Sequence, residues 1–316
     1  MITGHHQHQY SVDKNWAKID ADKYPVNDCH EMVIDSMNRL YVLTNDTRNN
    51  ILVFDLEGNL LSAWGTTYPG AHGLSLFKEK DVEYLLITDH ERHQVIKTTL
   101  DGEEMMVLNY PVETGCYTDE SLYLPTETAV TSNGDIYITD GYGLQYVIQY
   151  DSKGKYIRHW GGSGDKEEQF NCVHGIAIDG RGEGRPTLLL TSRNDNAFKR
   201  FSLEGIYLET ISLPGSFVCR PVIKDHYVYA AVFRSGFNTN EASGFITILD
   251  GQNRVVSTPG GTAPLYLDNK LLPQQQEEKI FIHPHDVCVD DEGNIYVCQW
   301  KSKKTYPYKL TRIKNV

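Results

Sequence analysis

What most limits the folds open to this chain is a segment that keeps returning along it: a turn, a histidine or other polar residue, alternating apolar positions ending in aspartate, another turn and a second alternating run. The clearest copies are C-H-E-M-V-I-D-S-M-N-R-L-Y-V-L-T from Cys29 and P-H-D-V-C-V-D-D-E-G-N-I-Y-V-C from Pro284. Between them stand A-H-G-L-S-L from Ala71, L-P-T-E-T-A-V-T-S-N-G-D-I-Y-I-T-D from Leu124, V-H-G-I-A-I-D from Val173 and a worn copy near Val218, which makes six. Each unit continues with two further strands, as in I-L-V-F-D-L-E-G-N-L-L-S-A-W-G from Ile51. Period-2 alternation, Tyr/Val/Ile enrichment and turns such as Glu57-Gly58-Asn59 describe short antiparallel strands. Six four-stranded units at spacings of 42 to 65 residues predict an all-β fold, a six-bladed β-propeller around a central channel. A pair of β-sandwiches would explain the strands but not the repeat.

No interior stretch has the composition of a linker, so residues 1–316 are read as one domain, with 1–25 completing or flanking the ring. Residues 257–279, with Gly260-Gly261, Pro264 and Gln274 to Gln276, fit no strand template and are read as a long loop in or after blade five. Thirty basic against 42 acidic side chains, a net charge of -12, would repel a phosphate backbone, which disfavours nucleic acid as a partner. No apolar run approaches the roughly 18 residues of a membrane span. Six cysteines without a C-x-x-C pair read as reduced thiols, and Met1 to Tyr10 lack the pattern of a secretory signal, so the expected location is cytoplasmic.

Aligning the copies puts His30, His72, Thr126, His174, Arg220 and His285 at one equivalent position, just before the innermost strand. These side chains should converge on the axis. Blades two, four and six all carry histidine there, so His72, His174 and His285 present three imidazoles to one point, the ligand set of a catalytic zinc with an open position. A lone histidine in a β protein is more often a partner for a backbone group; three in alternate blades are better explained by a metal. His30 is a candidate fourth ligand or base, and Arg220 a structural residue or anion contact. A second ring, after the second strand, reads Asn45, His90, Gly141 with Tyr142, Arg193 and Trp300. Tyr142 and Arg193 are expected above the metal, the phenol with a pKa lowered by a nearby cation and the guanidinium clamping a carboxylate, against the alternatives of a packed aromatic and of a salt bridge to Asp195.

On these motifs the sequence resembles the NHL-repeat six-bladed propellers, and among them the peptidyl-α-hydroxyglycine α-amidating lyase of the peptidylglycine monooxygenase type, from about Asp28 to the C-terminus. That family's zinc histidines lie in P-H-G-L, V-P-H-S and M-P-H-D, matched here by A-H-G-L at His72, C-V-H-G at His174 and H-P-H-D at His285. Its catalytic tyrosine follows Asp-Gly, as in D-G-Y at Asp140 to Tyr142, and its fourth-blade arginine matches Arg193. The resemblance further implies a structural calcium held by Asp286 and by the carbonyls of Leu74 and Met32. Departures stand beside these matches. The first-blade arginine falls on Asn45, with Arg48 three residues on as a substitute; a methionine becomes His283; two disulfide cysteines become Tyr123 and Gly143.

The leading expectation is a zinc-dependent lyase acting on a carbinolamide or similar hemiaminal-like carbon, with Tyr142 as base, Arg193 as anion contact, and His30 and His283 as further catalytic candidates. Asn45, Arg48, His90, Trp300 and Arg220 would bind a small-molecule or peptide-end substrate. Loss of the first-blade arginine favours a smaller polar substrate over peptidyl-α-hydroxyglycine. A metal-dependent hydrolase or epimerase on a sugar-like or lactone substrate is one alternative, and a non-catalytic NHL interaction propeller another.

Overall fold

A computed structural model describes residues 1–236 and 242–314. Six β-sheets follow one another around a ring. Blade one holds Cys29–Ile34, Leu40–Thr44, Ile51–Phe54 and Leu60–Trp64, each pairing antiparallel with the next from the axis outward. Blades two to four repeat this order from the inner strands Ala71–Glu79, Glu127–Val130 and Ile176–Asp179. The alternation in sequence becomes two packing faces. In blade one, Leu40, Val42, Leu52 and Phe54 face blade six, while Tyr41, Leu43, Ile51 and Val53 face blade two. Each fully buried aliphatic or aromatic side chain of this kind contributes about 1.5–3 kcal/mol.

The N-terminal segment closes the ring. Blade six runs outward from Pro284–Val289 through Ile295–Gln299 and Tyr308–Arg312, and then takes its outer strands, His8–Asp13 and Ile2–His5, from the other end of the chain. Tyr10 pairs with Arg312 and Val12 with Leu310. Trp16 then packs on Phe54 and Tyr296, its indole N–H donating to the Leu56 carbonyl.

Blade five departs most from the template. Its inner edge is broken into Ser216–Val218 and Val222–Lys224, both paired with Tyr227–Ser235, and Pro221 in the gap has no N–H to give a ladder. The 257–279 segment follows its outer strand, Val255–Ser257, and is not all loop. Tyr266–Leu267 and Lys270–Leu271 form a small hairpin whose turn residues, Asp268 and Asn269, both have positive φ. Strands of two residues are too short to show alternation, which is why the sequence gives no sign of them.

Candidate functional site

The inner strands aim their histidines by a shared irregularity. Pairing skips from Cys29 to Glu31, from Ala71 to Leu74 and from Pro284 to Asp286, so His30, His72 and His285 each fall in a β-bulge. A bulged residue leaves the ladder and is free to turn toward the axis. Adjacent blades also come very close at this level: a Cβ on Gly73 would stand 2.4 Å from the Thr126 carbonyl oxygen. Only glycine fits there.

One nitrogen from each of His30, His72 and His285 lies within 4.8 Å of the other two. The trio expected from alternate blades is also assembled, with ring centroids of His72, His174 and His285 4.8–4.9 Å apart. His30 stands as near, 5.1 Å from His72 and 5.0 Å from His285. Four imidazoles, not three, therefore meet at the axis. His72 and His285 place Nδ1 on the carbonyls of Thr126 and His30 at 2.8 and 3.0 Å, which assigns the proton to Nδ1 and leaves Nε2 unprotonated. His30 and His174 each keep a buried Nδ1 without a hydrogen-bond partner. Burial first holds His72, His174 and His285 well below the ordinary histidine value and His30 at about 3; neighbouring imidazoles add to it at His72, Arg193 and then imidazoles at His174, and an imidazole and then Arg193 at His285 and His30. Buried, neutral, convergent imidazoles with unused nitrogens fit a transition ion.

Tyr142 closes the cluster on the open side. Its ring is 39% exposed, but its hydroxyl lies 3.0 Å from Nε2 of both His72 and His174. The loop that carries it is tethered by Asp140, whose carboxylate accepts from the Leu124 and Leu144 amides and the Tyr117 hydroxyl at 2.7, 2.6 and 2.7 Å. Gly143 passes so near that carboxylate that a Cβ would meet it at 2.2 Å. The expectation that a cation lowers the phenol's pKa is corrected: burial pushes it up to about 12, and Arg193 pulls only partly against that.

Arg193 is buried beside Tyr142 and hydrogen-bonds the Val218 carbonyl and the Cys219 sulfur. It forms no ion pair among the described residues; Asp195, its expected partner in the structural alternative, bonds Ser192 and Lys199 instead. Above the histidines opens a cavity of about 520 Å³. Asn45, His90, Tyr142, Arg193 and Trp300 line it as expected, joined by Glu91, Cys172, Asn194, Phe217, Phe233 and Arg234.

Four expectations change. Arg48 turns outward, 63% of its side chain exposed, onto Asp46 at 2.6 Å, and does not replace the missing arginine. His283 lies behind the cavity wall, with Nδ1 on the Trp300 carbonyl and Nε2 accepting from the Ala242 amide, so both ring nitrogens are used by the backbone. Arg220 crosses the channel below the histidines, and its donors are taken up by the protein's own oxygens. Its guanidinium donates to Asp286 at 2.7 and 3.1 Å, to the Leu74 carbonyl at 3.0 Å and to the Met32 carbonyl at 2.9 Å. These are the ligands expected for calcium, so the residues present do not fit that ion. Glu31 and Glu127 add buried carboxylates at 3.9 and 3.6 Å, and burial with Glu127 nearby pushes Glu31 well above the usual carboxylate range.

All six cysteines are free thiols, and among the described residues no helix is long and apolar enough to cross a membrane.

No protein-family model matches the chain. Its homologues are peptidylglycine amidating enzymes and NHL-repeat proteins. It is 34% identical over 115 residues to peptidyl-glycine alpha-amidating monooxygenase of Mus musculus, covering 34% of this chain and 11% of the relative. Peptidyl-alpha-hydroxyglycine alpha-amidating lyase 1 of Drosophila melanogaster is 32% identical over 126 residues, 39% of this chain and 21% of that one. NHL repeat-containing protein 3 of Homo sapiens is 28% identical over 182 residues, 55% and 52% of the two chains. The matched regions thus span a tenth to a half of these relatives' lengths. Among solved structures, a streptogramin B lyase superposes with a TM-score of 0.60 at 13% identity, covering 96% of this chain and 97% of the other. Virginiamycin B lyase from Staphylococcus aureus gives 0.59 at 12% identity, with 96% and 100% covered. These two likenesses support the propeller fold.

Proposed function

We propose that the protein is a metal-dependent lyase that breaks the C–N or C–O bond of a hemiaminal-like carbon. The observation that carries this reading is the position of the Tyr142 hydroxyl, within hydrogen-bond distance of two axial imidazoles and beside the Arg193 guanidinium, which favours its ionised form. His72, His174 and His285 would hold the ion, with His30 beside them; zinc suits this donor set. Bound there, it would supply Lewis acidity at the axis. The homology to amidating enzymes supports the same reaction class.

In such a cleavage the substrate hydroxyl gives up its proton, a carbonyl forms, the C–N electron pair goes to nitrogen, and nitrogen takes up a proton. Tyr142 stands where it can receive the first proton and return it to the leaving nitrogen, which is general acid–base work worth roughly 10²–10⁴-fold in rate. Its raised pKa makes it a poor base by itself. Arg193 stabilises the phenolate, and as a buried cation with no carboxylate partner it is also placed to receive negative charge developing on the reacting oxygen. The Phe217, Phe233 and Trp300 side chains wall the cavity and limit the water that reaches this charge.

The test is product analysis on N-acetyl-α-hydroxyglycine with metal-replete protein. Lysis releases acetamide and glyoxylate in equal amounts, whereas amide hydrolysis would release acetate. The Tyr142→Phe variant should lose at least about 100-fold in kcat while keeping its metal. Acetate as the product, or undiminished turnover in Tyr142→Phe, contradicts the proposal.

A further inference from the structure

The cavity holds a second guanidinium that the repeat does not mark. Arg234 comes from the second strand of blade five, Tyr227–Ser235, and lies on the cavity wall. Its guanidinium carbon is 5.0 Å from the centre of the Phe233 ring, as is that of Arg193, so one aromatic ring carries both cations. The Nε of Arg234 is buried without a hydrogen-bond acceptor among the described residues. Several of the chain's other arginines close on acids, among them Arg39 on Asp35, Arg48 on Asp46, and Arg181 and Arg200 on Asp179. Neither cavity arginine has such a pair among the described residues, and Glu91 is the one acidic residue of the lining. A buried guanidinium N–H without an acceptor is costly, and this cost is repaid when a ligand supplies an anion.

From this geometry we infer that Arg234 is a specificity-determining residue, anchoring an oxyanion group that the substrate carries outside the bond that breaks. Arg193, beside Tyr142 and next to the histidines, is left for the reacting centre. The inference rests on the proposed reaction for its location but not for its test. The substrate class is therefore a small carbinolamide bearing a carboxylate or a phosphate, rather than a neutral sugar-like compound.

The experiment is calorimetric titration of the metal-replete protein with glyoxylate and, separately, with inorganic phosphate, repeated on Arg234→Gln and Arg234→Lys. One guanidinium–oxyanion contact accounts for about 10- to 100-fold in affinity. Arg234→Gln should weaken at least one of the two anions by that factor, with partial recovery in Arg234→Lys. Loss for glyoxylate assigns the carboxylate class, and loss for phosphate alone assigns the phosphate class. On a substrate that turns over, the same variant should raise KM by 10- to 100-fold and leave kcat within about threefold. Unchanged affinity for both anions in Arg234→Gln overturns the inference. Because binding is read without turnover, that result is distinct from a failure to find lyase products.

Discussion

A guanidinium can do the work of a divalent cation when its planar fork meets carbonyl and carboxylate oxygens at the right separations, and Arg220 shows how. It reaches across the axis from the break in blade five and ties together blade one through Met32, blade two through Leu74 and blade six through Asp286. Its charge is fixed at any working pH and is present from the moment the chain folds. Burial raises Asp286 to about 6, with Arg220 pulling the other way. Arg220→Ala should therefore lower stability by about 3–5 kcal/mol, the usual result of leaving a buried charge without its partner. Thermal unfolding checks this directly. The wild-type melting temperature should not respond to calcium or to a calcium chelator, whereas Arg220→Ala, with its oxygen ligands freed, should be stabilised by added calcium. A wild-type protein that loses stability on chelation would contradict the substitution of arginine for the ion.

Elements built by the repeat differ from the one element built by closure. Blades one to four are local, each made from consecutive strands, but blade six depends on residues from both ends of the chain. Histidine 8 sits in that seam, fully buried, with the Tyr227 ring edge-on at 4.7 Å and its Nδ1 without a partner. Burial first, then Arg312 and His6, lowers its pKa to about 4. The folded state thus takes up a proton less readily than the unfolded chain, so the contribution of His8 is complete above about pH 6.5 and is lost as pH falls toward 4. The slope is at most about 1.4 kcal/mol per pH unit. In His8→Phe this part of the acid dependence should disappear, as read from denaturant midpoints at pH 7, 6 and 5. An identical pH dependence in the variant and the wild type would show that the seam is not acid-sensitive through His8.

At the scale of the whole molecule, the ring and the register of its axial histidines are legible because each rests on repetition: six copies, one equivalent position, and side chains that the β-bulges then turn inward. What escapes the sequence lies where repetition fails. The worn copy in blade five hides both the long reach of Arg220 and the presence of Arg234 in the cavity, since no neighbouring blade supplies a template for either. His30, a candidate fourth ligand from its equivalent repeat position, stands in the cluster as near as the histidines of the alternate blades. Residue spacing does not reveal that Arg48 and His283 are already occupied, by Asp46 and by the backbone. The central claim is that the converging imidazoles hold a catalytic metal, and metal content per chain tests it most directly. Elemental analysis of the purified protein, with His72→Ala and His285→Ala alongside, should find about one transition-metal ion per wild-type chain and a large loss in each variant. A wild-type chain that retains no metal after incubation with zinc, or full occupancy in both variants, would contradict the account.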